Sequence, residues 1–286
     1  MVAEGGRSLS GLLSFAAMKS VYFAVLNVVQ ALFLVSWSVI WISIALVVSI
    51  VSPRWPLVLA RRAWGPGLVW AAGARMEVSP GASLDPRGTY VFIMNHQSMF
   101  DIAVAFAHIP VNIRFVAKKI LKSIPFLGWY MWRTGMVFVD RGRRDQALAS
   151  LQKAGQQVRD GATILAYPEG TRSTDGSILP FKKGPFVLAI EAGVPVVPVA
   201  IDGSQTLLPR GGFNLRPGPI RFRIGNPIPT SGLVATDVDA LIKRVRDAVI
   251  DLHLSIGGKG GDKDDAIALP GKEGIGAGRR SNKEAA

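Results

Sequence analysis

Between Lys19 and Arg54 the chain carries no charged residue and no histidine, and the run from Ser20 to Pro53 has no glycine and only its final proline as a breaker. Such a run predicts a helix in contact with lipid. Its 34 residues would make a straight helix about 51 Å long at ~1.5 Å per residue, against a hydrocarbon core of roughly 30 Å. One upright span does not match that length. The helix is expected to tilt, to run out into the headgroups, or to bend back into the leaflet it entered. A secretory signal peptide would instead have an apolar region of ~7–15 residues before a small-residue cleavage site.

Beyond the anchor, short apolar runs alternate with helical patterns. The runs Tyr90–Met94, Arg114–Ala117, Met136–Val139, Thr163–Tyr167, Val196–Ile201 and Ile220–Ile224 predict strands, and 98–108, 145–159, 185–192 and 236–254 predict helices. Strand and helix in alternation imply one α/β domain: a mostly parallel central sheet flanked by helices, with an N-terminal membrane-embedded helical segment. The expected divisions are a flank over 1–19, a membrane anchor and interfacial segment over 20–73, the α/β domain over 74–254, and a disordered tail over 255–286, where Gly, Lys and Asp replace any apolar periodicity.

The formal charge is +13, from 33 basic and 20 acidic residues, which calls for an anionic partner. Eight basic residues against Asp140 alone lie between Val111 and Arg144, interleaved with Phe115, Phe126, Trp129, Tyr130, Trp132 and Phe138. That mixture suits single-stranded nucleic acid or the interface of an anionic bilayer, and the apolar segment favours the bilayer. Five of the seven tryptophans lie in or just after that segment, where headgroup-level rings are common. Arg54, Arg61 and Arg62 on its far flank place the domain that follows on the cytoplasmic side, against the weaker pull of Arg7 and Lys19. There is no cysteine, so no disulfide, no Cys-ligated metal and no cysteine nucleophile. The three histidines, His96, His108 and His253, are too scattered in sequence to suggest a metal site.

Chemistry concentrates in NHQSMFD, Asn95 to Asp101, directly after the Tyr90–Met94 strand. On one continuous helix His96 and Asp101 would stand about 140° apart, so His96 is expected on the loop and Asp101 in the first helical turn. A carboxylate there can reach back to one imidazole nitrogen while the other faces substrate, which makes a general base and its orienter. The same Ser98-x-x-Asp101 spacing is also that of a capping box, which needs no catalysis. A second motif, PEGTRS from Pro168 to Ser173, follows another strand end, the usual ligand side of an α/β sheet. Its Arg172 offers a planar fork for phosphate oxygens, and Glu169 is suited either to holding Arg172 or to a surface salt bridge.

NHQSMFD, GMVFVDR (Gly135 to Arg141), YPEGTRS (Tyr167 to Ser173) and VPVVPVAI (Val194 to Ile201) together resemble the four ordered blocks of the glycerolipid acyltransferases, most closely the lysophosphatidic acid acyltransferase branch. The resemblance covers roughly residues 75–254. It departs mildly, with Tyr167 where phenylalanine is commoner and Val139 where isoleucine is. It implies that His96 is the general base on the 2-hydroxyl of a lysophosphatidate, that Asp101 orients it, and that no cofactor is needed beyond an acyl-carrier-protein or coenzyme A thioester as co-substrate. It assigns the acceptor's phosphate to Lys118 and to the block with Glu169, Gly170, Thr171 and Arg172, and acceptor or donor phosphate to Arg141. Expected partners are lysophosphatidate, anionic membrane lipids and the donor carrier, with no nucleic acid.

Within the same fold the acceptor could equally be glycerol-3-phosphate, another lysophospholipid or a lyso-ornithine lipid. A membrane-tethered lipid- or nucleic-acid-binding module would have no use for a base and orienter. A hydrolase using Ser98 would lack the G-x-S-x-G elbow. His108 and His253 are expected on helical faces without catalytic duty, and Lys119 is expected to face away from Lys118.

Overall fold

The computed structural model describes residues 9–140 and 144–268. Seven strands form one sheet: β1 (Ala74–Val78), β2 (Val91–Met94), β3 (Ile113–Lys118), β4 (Val137–Val139), β5 (Thr163–Ala166), β6 (Val196–Asp202) and β7 (Gly218–Ile224), in the spatial order β1-β7-β6-β2-β5-β3-β4. The five strands from β6 to β4 run parallel, and β7 is antiparallel to β6 while parallel to β1. Every residue of β2 and β5 is buried, as a parallel sheet covered on both faces requires.

The pleat sends alternate side chains to two cores. Phe92, Met94, Phe115 and Phe222 face one; Val91, Ile93 and Ile164 face the other. The second core is closed by α6 (Arg144–Arg159), α7 (Gly184–Ala192) and α9 (Val238–Ser255). The first is closed by α4 (Asp101–His108), α5 (Leu127–Arg133), the four-residue α8 (Ser204–Leu207) and an N-terminal helical unit. That unit is the 43-residue α1 (Leu9–Val51), then α2 (Trp55–Leu59), a π turn over Ala60–Trp64, and α3 (Gly65–Ala71).

Helix α1 does not stand away from the domain. The Leu215 N–H donates to Asn27 at 2.5 Å, Gln30 to the Ala71 carbonyl at 3.2 Å, Trp37 to the Trp64 carbonyl at 3.2 Å, Trp64 to Ser38 at 3.1 Å, and Arg133 to the Ser49 carbonyl at 2.8 Å. Its other faces are exposed and apolar, among them Val21, Val25, Leu32, Val35, Val39 and Ile50.

Three local differences from the sequence reading have physical causes. Helix α4 starts at Asp101 and not at Ser98, because the Gln97 and Ser98 N–H groups turn to the Asp101 carboxylate. Strand β1 and helix α5 were not anticipated: β1 reads ARMEV, an edge strand too polar to show an apolar run, and α5 has only seven residues. The expected tail from Ser255 is packed as far as it is described. The Gly258 N–H donates to the His253 carbonyl at 2.8 Å, Ile178 to the Gly260 carbonyl at 2.8 Å, and Ala268 to the Phe181 carbonyl at 3.0 Å. Backbone pairing, which composition does not reveal, holds it.

Candidate active site

His96 follows β2 at the carboxyl end of the parallel strands. Asn95 makes this turn possible: its amide donates to the Ile201 carbonyl and accepts the Ile201 N–H, both at 2.9 Å. The side chain thus extends the β2–β6 ladder by one rung and frees the next backbone to leave the sheet.

The Asp101 side chain is wholly buried, with four donors converging on it. Oδ2 accepts from His96 Nδ1 at 2.8 Å, Gln97 N at 2.7 Å and Ser98 N at 2.9 Å, and Oδ1 accepts from Ser204 Oγ at 2.5 Å. With Asp101 as acceptor throughout, Nδ1 of His96 is the protonated nitrogen, and Nε2 is left with its lone pair. Only half of the capping box forms: Ser98 Oγ accepts from the Phe100 N–H at 3.2 Å and itself donates to the Leu208 carbonyl at 2.8 Å.

The His96 ring is held on a second side by Tyr167, stacked at 4.0 Å between centroids and 19° between planes. Burial raises the Tyr167 hydroxyl well above its ordinary value, with Asp101 adding to the effect. The His96 backbone is clamped as well. Its N–H donates to Glu169 Oε1 at 2.9 Å, and its carbonyl accepts the Ser173 N–H at 2.8 Å.

Glu169 is turned to backbone donors and makes no ion pair with Arg172. Its carboxyl is buried, one oxygen under His96 and the other taking the Leu179 N–H at 3.4 Å. Burial raises this carboxyl well above the ordinary range, against the two backbone N–H groups that favour its charge.

Two cavities meet at this point. An apolar one of about 560 Å³ runs from His96 and Tyr167 between the sheet and the helices of the first core, past Phe106, Phe115 and Met131, to Leu34 and Ala45 on α1. A polar trough lies alongside, walled by Lys118, Lys119, Lys122 and Lys182. Lys118, Gly170, Thr171 and Arg210 line both, and Arg172 joins the apolar side. The structure thus brings Lys118, Gly170, Thr171 and Arg172 to the mouth beside His96. Gly170 has φ +73°, a left-handed conformation that glycine adopts without steric cost. Arg141 lies outside the described residues. Lys119 lines the same trough as Lys118 and pairs with Asp140 at 3.5 Å, a correction to the expectation that it faces elsewhere.

Sequence reading missed Ser204 and Arg210. Ser204 follows β6, next to β2 at the same sheet edge, so its place after a parallel strand was the available signal. Arg210 carries no motif. His108 packs against Phe222 at 5.8 Å, its pKa lowered by burial. His253 is fully buried, 3.3 Å from Asp202 Oδ1 and from Gln97 Nε2, with Nδ1 accepting the Gly260 N–H at 3.1 Å. Neither lines the two cavities.

Residues 75–202 match the family model described as Acyltransferase. The human 1-acyl-sn-glycerol-3-phosphate acyltransferase alpha is 33% identical over 202 residues, covering 70% of this chain and 71% of that protein. The 1-acyl-sn-glycerol-3-phosphate acyltransferase of Saccharomyces cerevisiae is 39% identical over 172 residues, 59% of this chain and 56% of that one. Among solved structures, the 1-acyl-sn-glycerophosphate (LPA) acyltransferase PlsC of Thermotoga maritima superposes with a TM-score of 0.67 at 26% identity, over 80% of this chain and 97% of that one.

Proposed function

The chain belongs to the 1-acyl-sn-glycerol-3-phosphate acyltransferase family, and from that membership we propose that it transfers a fatty acyl group from a thioester donor to the 2-hydroxyl of 1-acyl-glycerol-3-phosphate, giving phosphatidate, with His96 as general base. The observation that supports this assignment of roles best is His96 itself, held by Asp101 at the point where an apolar cavity opens onto a cationic rim.

The donor's acyl chain occupies the apolar cavity, whose volume of about 560 Å³ lies within the ~300–1,000 Å³ range of ligand sites. Lys118 and Arg172 receive the acceptor's phosphate at the rim. Nε2 of His96 takes the proton of the 2-hydroxyl as its oxygen attacks the thioester carbonyl, and Asp101 stabilises the imidazolium that forms. When the tetrahedral intermediate collapses, the carbon–sulfur bond breaks. The imidazolium returns its proton to the leaving thiolate, which regenerates the neutral base. The donor is an acyl-carrier-protein or coenzyme A thioester, since each delivers the same bond to the same cavity.

Helix α1 is read as lying along one leaflet, with the catalytic domain on the cytoplasmic side of the inner membrane. Its contacts to the domain run from Asn27 to Ser49, a rise of about 33 Å at ~1.5 Å per residue. An upright span would drag that length of domain through a hydrocarbon core of roughly 30 Å.

Acyl transfer from both donors onto lysophosphatidate, glycerol-3-phosphate and a panel of other lysolipids tests the assignment. His96→Ala is expected to lose ~10²–10⁴ in kcat/KM with folding intact, and Arg172→Ala to raise the KM for lysophosphatidate while largely retaining kcat. A His96→Ala enzyme of unchanged rate would remove the general-base role.

A further inference from the structure

The 3-10 turn Lys119–Ser123 and helix α5 leave Ile120, Ile124, Phe126, Trp129 and Trp132 at 69, 42, 51, 55 and 64% exposure. So dense an apolar patch on a soluble face marks a surface that meets something. The opposite side of the same segment is buried in use: Leu121, Leu127, Tyr130 and Met131 line the apolar cavity that ends at His96. The segment is thus one wall of that cavity, with large side chains turned outward.

Its backbone is strained to hold that shape. Phe126 has φ 61° and ψ −58°, and the Pro125 carbonyl accepts the Leu127 N–H across it at 2.7 Å. This is the rare γ-turn with positive φ, which glycine would adopt at little steric cost. The chain places a phenylalanine there, half exposed and tilted against Trp129 at 5.3 Å. Strain of this kind persists where function uses it.

Two observations say what covers the patch. Arg133, at the end of α5, donates to the Ser49 carbonyl of α1, so the segment packs against the helix whose other faces are exposed and apolar. From Lys118 to Arg133 the chain has Lys118, Lys119, Lys122 and Arg133 and no acidic residue, which complements anionic headgroups.

We propose that residues 120–132 form a second membrane-inserting element, a lip that enters an anionic bilayer beside α1 and lets lysophosphatidate pass sideways from the leaflet to His96. The passage rests on the acyl-transfer reading; the insertion does not.

Because the chain has no cysteine, Trp129→Cys and, on the exposed face of α9, Lys243→Cys each give a unique site for an environment-sensitive fluorophore. With full-length protein on vesicles containing brominated phosphatidylglycerol, the label at 129 is expected to be quenched and blue-shifted, and that at 243 to be unaffected. In kinetics, Trp129→Glu with Trp132→Glu is expected to raise the KM for a long-chain lysophosphatidate held in vesicles by about tenfold or more, with values for a short-chain, water-soluble lysophosphatidate unchanged. A silent label at 129, or one that responds to an acidic carrier protein and not to vesicles, overturns the lip. Equal loss on both acceptors also overturns it, by assigning the tryptophans to the site itself. If the unmodified enzyme acylates neither acceptor, the acyl-transfer reading fails, and the quenching still decides insertion.

Discussion

Four donors on the Asp101 carboxylate and two clamps on the His96 peptide define the site at the scale of single residues. The pairing of His96 with Asp101 was legible in NHQSMFD because strand, loop and helix follow one another there within a few residues. Glu169 was not. Its neighbourhood in sequence suggested Arg172, yet its partners are the backbones of His96 and Leu179. Only the packing of β5 beside β2 brings those groups together. The elevated native pKa of Glu169 has a consequence with a definite sign. The folded state holds this proton more tightly than the unfolded chain, so the associated stability is complete below the unfolded carboxyl value, ~4.3, and is lost as pH rises through the native one. Thermal unfolding followed from pH 4 to 8 is expected to show that decline in the unmodified protein and a flatter profile in Glu169→Gln. The variant should also turn over more slowly, through a looser His96.

At the scale of elements, the apolar run from Ser20 to Pro53 announced its helix plainly, and its excess length over a bilayer was already a warning against an upright span. What it could not reveal was the row of contacts from Asn27 to Ser49. Polar groups at Asn27, Gln30 and Ser38 look like interruptions of an apolar run, and each has its partner in a distant part of the chain. Single cysteines at Ser20 and Ser52 test the resulting orientation. A membrane-impermeant maleimide added to sealed vesicles with the catalytic domain outside is expected to label both. Labelling of one only would restore the spanning helix. Helix α5 shows the opposite case, where seven residues with Trp129 and Trp132 outward give no usable period.

Across the whole molecule, the C-terminal segment closes a chain of contacts that reaches the site. Arg246 on α9 is buried, donating to the carbonyls of Ile178 at 3.1 Å, Leu179 at 3.2 Å and Asp262, with its guanidinium 5.9 Å from the Phe181 ring centre. Leu179 in turn donates to Glu169, and Glu169 receives His96. Arg246→Ala strips three carbonyls, one buried and two half-buried, of a charged donor and is expected to cost about 2–3 kcal/mol, read as a lower urea midpoint. An unchanged midpoint would show that these Arg246 bonds contribute no net stability. Sequence by itself determined the α/β alternation, the long apolar N-terminal helix and the pairing of His96 with Asp101, because each is written in side-chain pattern over short distances along the chain. Tertiary structure alone decided that Glu169 lies beneath His96, that Ser204 completes the carboxylate's shell, that two cavities share one mouth, and that α1 lies against the domain. Those are contacts between residues tens to hundreds of positions apart, and they exist only once burial of both faces of the sheet has chosen which segments become neighbours.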